Sequence, residues 1–93
     1  MTSYEFEVSA KNAIIQAVEK KYNEKLKIQE INTVWFCWIL RNIKGIFADC
    51  KKNNERLYEV TYNPNKEEMY VDVYQKDDNQ KIELSKINTK VEE

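Results

Sequence analysis

Arg56-Leu57-Tyr58-Glu59-Val60-Thr61-Tyr62, then Asn63-Pro64-Asn65-Lys66, then Glu67-Glu68-Met69-Tyr70-Val71-Asp72-Val73-Tyr74-Gln75-Lys76 is the stretch that decides the fold. Two runs of alternating apolar and polar residues flank a loop rich in Asn and Pro, which is the signature of a β-hairpin. With Tyr62 set opposite Glu67, Val60 falls opposite Met69 and Tyr58 opposite Val71. Opposed residues of an antiparallel pair share a face. One face then carries Tyr58, Val60, Tyr62, Met69, Val71 and Val73, and is a core face. The other carries Leu57, Glu59, Thr61, Glu68, Tyr70, Asp72 and Tyr74, and is a wet face rich in tyrosine. A slip of one residue would turn Glu59 or Asp72 into the core.

Upstream, Thr33 to Leu40 is rich in β-formers: Val34, Trp35, Phe36, Cys37, Trp38, Ile39. This strand has no polar face. Trp35, Cys37 and Ile39 point one way, and Val34, Phe36, Trp38 and Leu40 the other. Arg41 and Asn42 read as a turn, and a second strand follows over 44–50. Gly45 within it marks a bulge or a close backbone approach. Lys51 to Asn54 reads as a polar turn, and residues 23–32 as a connector.

At the start of the chain, Thr2 and Glu5 have capping-box spacing. Phe6, Ala10, Ala13, Ile14, Ala17 and Val18 then fall on one helical face, with Ile15 and Tyr22 at its margin. The spacing predicts a helix over 3–22, with Asn23 in the left-handed conformation just past its end. At the other end, Ile82 and Leu84 suggest a short final strand, and residues 85–93 a frayed tail. A helix with one apolar stripe and a sheet with one apolar face bury each other. The expectation is a single α+β domain over 1–93, with an N-terminal helix packed on one face of a four- to five-stranded antiparallel β-meander.

Composition bounds function. Ninety-three residues make a thin core, burying only about 60–65 % of the unfolded surface. Two Trp, six Tyr and three Phe help to fill it. The net charge of −1 argues against a dedicated nucleic-acid binder, which carries a basic excess. Lys20, Lys21, Lys25 and Lys27 form the densest basic stretch, and its ordinary reading is a solvated helix end.

Catalytic chemistry has little to work with. Histidine, the commonest general base and metal ligand, does not occur. Two cysteines without histidine do not complete an ordinary structural zinc site unless carboxylates or a second subunit contribute. A single glycine excludes a phosphate-binding loop. Glu67 and Glu68 alternate across a strand, so they cannot share a site. The sequence therefore points to a protein that is not an enzyme and holds no cofactor or metal. Cys37 and Cys50 are expected to be free thiols in a reducing cytoplasm. There is no secretory signal pattern, and the longest apolar run, Val34 to Leu40, is far short of the about 20 residues that span a bilayer.

Val34-Trp35-Phe36-Cys37, Leu40 with Asn42 and Lys44, Tyr58-Glu59-Val60-Thr61-Tyr62-Asn63, and Tyr70 with Asp72-Val73-Tyr74 also carry a resemblance. Over about residues 4–76 the chain resembles a group of small uncharacterised proteins encoded by phages and prophages of low-GC Gram-positive bacteria. That resemblance implies an accessory protein working in bacterial cytoplasm, and it transfers no catalytic residues.

One helix covers one sheet face, so the apolar residues of the first strand that turn away from it need another cover. The segment around Ile82, Leu84 and Ile87 is one candidate; a second copy or a protein partner is another. Trp and Tyr are enriched at binding hot spots. The expected partner site is Trp35 or Trp38, whichever points outward, with Glu59, Tyr70, Asp72 and Tyr74 around it. The partner is a host protein or a second copy of the chain. The alternative is a nucleic-acid-binding accessory protein that stacks bases on the sheet aromatics and holds phosphates at Lys20–Lys27.

Overall fold

A computed structural model describes residues 1–51 and 56–90. The chain runs α1 (Ser3–Tyr22), a 3-10 turn (Ile28–Glu30), β1 (Ile31–Ile39), β2 (Asn42–Asp49), β3 (Arg56–Asn63), β4 (Glu68–Gln75) and a second 3-10 turn (Leu84–Lys86). The four strands form one antiparallel meander in the order β1-β2-β3-β4. This is the α+β architecture that the sequence predicts.

α1 begins where its cap requires. The Glu5 N–H donates to Thr2 Oγ1 at 3.1 Å, and the Thr2 N–H donates to Glu5 Oε1 at 3.0 Å. Two otherwise orphaned amides are thus satisfied. It ends at Asn23, which adopts φ 55° and donates its N–H to the Glu19 carbonyl. Phe6, Ala10, Ile14 and Val18 form its buried stripe, one residue per turn. Alanine at position 10 lets the helix approach the sheet closely.

The hairpin register differs from the expected one by two residues. Tyr62 pairs with Met69, Val60 with Val71, and Tyr58 with Val73. A two-residue shift preserves the face of every side chain, so both faces are as the alternation predicts. The helix side holds a core of Phe6, Ala10, Ile14, Val18, Ile31, Ile43, Phe47, Tyr58 and Val60, joined by Leu26 from the connector. The helix crosses the sheet diagonally. Its first turns meet β1 and β2, with the Phe6 ring 5.4 Å from Phe36 and 6.2 Å from Phe47. Its last turn reaches β4, where the Gln75 amide donates to the Tyr22 hydroxyl.

Several expectations are corrected. β1 starts at Ile31, whose buried side chain belongs to the core, not to the connector. The β1–β2 turn is Leu40-Arg41, with Leu40 at φ 56°, and Asn42 opens β2. Of the two readings of Gly45 the close approach holds, with the Phe36, Phe47 and Phe6 side chains against it; the bulge lies in β1 at Val34, where the register slips between Thr33 and Trp35. Ile82 and Leu84 form no fifth strand: Leu84 opens the second 3-10 turn, and both are exposed, as is Ile87. Without pairing, two apolar residues in a polar tail do not pay the entropy of ordering a strand. Most of the expected turn at Lys51 to Asn54 lies outside the described residues.

Candidate functional site

The parity of β1 divides its aromatics. Phe36 and Trp38 pair with Gly45 and Ile43 on the helix side. Trp35, Cys37 and Ile39 lie on the outer face. Trp38 is thus displaced from the expected outward site, although it remains half-exposed because α1 does not reach over it. Trp35 is the outward tryptophan.

The register aligns the outer face in rows. Trp35, Ile46, Glu59 and Asp72 form one row, and Cys37, Lys44, Thr61 and Tyr70 the next. Ala48, Leu57 and Tyr74 form a third. An apolar band therefore runs from Ile39 and Trp35 through Ile46, Ala48 and Leu57 to Tyr74. Trp35 is 47 % exposed, Leu57 48 %, Tyr70 47 % and Tyr74 52 %. Such values mean that no described segment of the chain closes over this face. Ile82, Leu84 and Ile87, the candidates for that cover, are exposed as well.

The electrostatics of this face centre on Glu59. It stands directly opposite Asp72, an unfavourable like-charge pairing. Lys44 answers it diagonally, with Nζ 3.2 Å from Glu59 Oε1. Near the hairpin end, the Tyr70 hydroxyl donates to the Glu68 carboxylate. That bond, with some burial and the carboxylate charge, raises the Tyr70 pKa above its ordinary value. On the strands themselves, three carboxylates against the Lys44 ammonium leave the face acidic. The expected partners of the tryptophan, namely Glu59, Tyr70, Asp72 and Tyr74, do share one surface with Trp35. Sequence reading did not single out Lys44, Ile46, Ala48 and Leu57 for this site. The missing signal was the parity of β2, which Gly45 leaves ambiguous.

A second cluster sits at the far end of β2 and β3. The Tyr58 hydroxyl donates to Asp49 Oδ2 at 2.6 Å inside the core. Arg56 is also buried; its Nη2 donates to Glu24 Oε2 at 2.6 Å, its Nε lies 3.9 Å from Asp49 Oδ2, and its guanidinium stacks 4.3 Å from the Tyr22 ring centroid. Burial alone would lower the Arg56 pKa, but the bond to Glu24 and the nearby negative charges raise it overall. These bonds clamp the connector, the helix end and the sheet together. A hollow of about 470 Å³ opens beside them, with Leu57 and Tyr74 on its outer wall.

Among the described residues no group of three or more His, Cys, Asp or Glu is placed to hold a metal ion. Cys37 and Cys50 are both free thiols. No described helix is long and apolar enough to cross a membrane. Lys20 and Lys21 lie in the last turn of α1, on the layer that covers the opposite side of the sheet from Trp35, Tyr70 and Tyr74. The Lys20 and Lys21 end of the basic stretch is therefore on the other side of the sheet from these aromatics.

A protein-family model matches residues 7–84, from the first turns of α1 to the second 3-10 turn. The chain belongs to the family of unknown function DUF6275. The DUF6275 match takes in α1 from Glu7 onward and all four strands, so it covers the outer face and all of the core but Phe6. No curated protein and no solved structure matches the chain.

Proposed function

We propose that this DUF6275 chain is a non-enzymatic interaction module that docks another protein on its outer sheet face. In this reading it is a phage-derived accessory protein that modulates a host factor in bacterial cytoplasm. The observation that carries the docking role is the open apolar band, with Trp35, Leu57 and Tyr74 half-exposed around the acidic pair Glu59 and Asp72. A soluble domain seldom leaves such a contiguous band uncovered without a use for it. Aromatic area with few rotatable bonds suits a binding hot spot. The uncompensated carboxylate selects for a partner that offers Lys or Arg within an apolar surround. The phage setting rests on the resemblance carried by Val34–Cys37, Tyr58–Asn63 and Tyr70–Tyr74.

The test is capture from a bacterial lysate with and without nuclease treatment, followed by affinity measurement with the captured protein. Trp35→Ala and Tyr74→Ala should each weaken that complex by more than about 1 kcal/mol while the denaturation midpoint stays close to that of the parent. Binding should be only mildly salt-sensitive. Affinity equal to that of the parent in both variants would refute the docking face. A complex that disappears with nuclease, or that falls steeply with salt, would favour the nucleic-acid reading instead.

A further inference from the structure

β1 is an edge strand, and it is unprotected. From Ile31 to Leu40 it carries no charged residue and no proline, the usual devices that keep sheet edges apart. The opposite edge, β4, carries Glu68 and Asp72. The two-residue turn Leu40-Arg41 makes Ile39 and Asn42 a hydrogen-bonded pair, and pairing alternates from there. Cys37 and Ile39 therefore turn their N–H and C=O groups toward β2. Phe36 and Trp38 turn theirs outward from the free edge.

We propose that β1 is the site where two copies of this chain associate, pairing antiparallel about a two-fold axis at Cys37. Cys37 then faces Cys37 of the second copy. Phe36 meets Trp38 of the second copy, and each such pair exchanges its outward N–H and C=O. Trp35 lies against Ile39 of the second copy. The four strands of each copy join into one sheet of eight.

Three observations select this occupant and this register. The strand is charge-free, so two copies bring no like charges together, whereas β4 against β4 would oppose acids. The half-exposed Trp38, which its own helix leaves uncovered, lands beside Phe36 of the second copy and next to that copy's Phe6. The bulge at Val34 falls just outside the paired stretch 35–39, while an axis at Phe36 would drive it into Trp38. The exposed parts of Val34, Trp35, Trp38, Ile39 and Leu40 offer on the order of 500 Å² per copy, near the lower bound for a specific dimer. This inference shares Trp35 and Ile39 with the outer-face band but rests on the free backbone edge, not on the docking role proposed above.

The test uses the full chain with Cys50→Ser, so that Cys37 is the one thiol left. Sedimentation equilibrium should give a dimer, and treatment with diamide should convert most of it to a covalent Cys37–Cys37 species. Such a bond fits a directly opposed, non-hydrogen-bonded pair. Trp38→Pro removes an edge N–H that the monomer does not use, and Cys37→Lys sets like charges face to face; either should leave a folded monomer by circular dichroism. Tyr74→Ala, on the outer face and remote from the edge, should leave the dimer intact, which separates this test from that of the docking face. The proposal is overturned if the Cys50→Ser chain sediments as a monomer. It is also overturned if a dimer forms without cross-linking at Cys37, or if Cys37→Lys remains dimeric.

Discussion

At the scale of single residues, Tyr58 ties function-neutral stability to pH. Its side chain is fully buried, and its hydroxyl supplies a hydrogen bond to Asp49, whose other oxygen is buried with no hydrogen-bond partner among the described residues. Tyr58→Phe should therefore cost about 1–3 kcal/mol, because it leaves a buried carboxylate still poorer in donors. The same surroundings raise the Tyr58 pKa: burial first, then the bond to Asp49 and its charge. A raised folded-state value means that Tyr58 stays neutral in the fold at pH values where it ionises in the unfolded chain. Its contribution is fully present below the ordinary tyrosine value of 10.0 and is lost as pH rises above it. Urea denaturation across alkaline pH should show the parent losing its advantage over Tyr58→Phe above that value. A gap between the two that widens with pH would contradict the assignment.

At the scale of elements, Gly45 sets how closely α1 and β2 approach. A Cβ built there would stand 2.9 Å from Phe36 Cβ, 3.0 Å from Phe47 Cε2 and 3.2 Å from Phe6 Cε2. Alanine normally favours a strand over glycine, but here the clash wins. Gly45→Ala should destabilise by about 1–3 kcal/mol, read as a lowered denaturation midpoint. Ile14→Ala, at the centre of the helical stripe, should cost about 2–5 kcal/mol through the cavity it leaves.

These elements also show why some of the fold is legible in sequence and some is not. The helix is specified by local chemistry from Thr2 to Asn23, and both ends fall where the sequence puts them. The hairpin faces are fixed by alternation over two long runs. Its register is set by the turn, where Glu67 takes φ 52° and leaves Glu68 to open β4, and that choice has no strong local mark. β1 is apolar on both sides, so periodicity cannot say which set of residues faces the helix. Pairing with β2 and the bulge at Val34 decide it, and both are tertiary effects. For the same reason Trp35, Glu59, Tyr70, Asp72 and Tyr74 could be gathered from sequence, whereas the choice between Trp35 and Trp38 could not.

At the scale of the whole molecule, the helix covers one side of the sheet and leaves the other bearing an acidic, aromatic band. The docking role depends on that band being open in the free chain and closed in the complex. Hydroxyl-radical footprinting of side chains reads this directly, with the exposed Tyr4 at the start of α1 as an internal control. In the free chain Trp35, Leu57, Tyr70 and Tyr74 should react readily. In the complex with the captured protein all four should be protected, while Tyr4 stays reactive. Low reactivity of the four in the free chain, or protection confined to Tyr4 and the outward side of α1, would contradict the account.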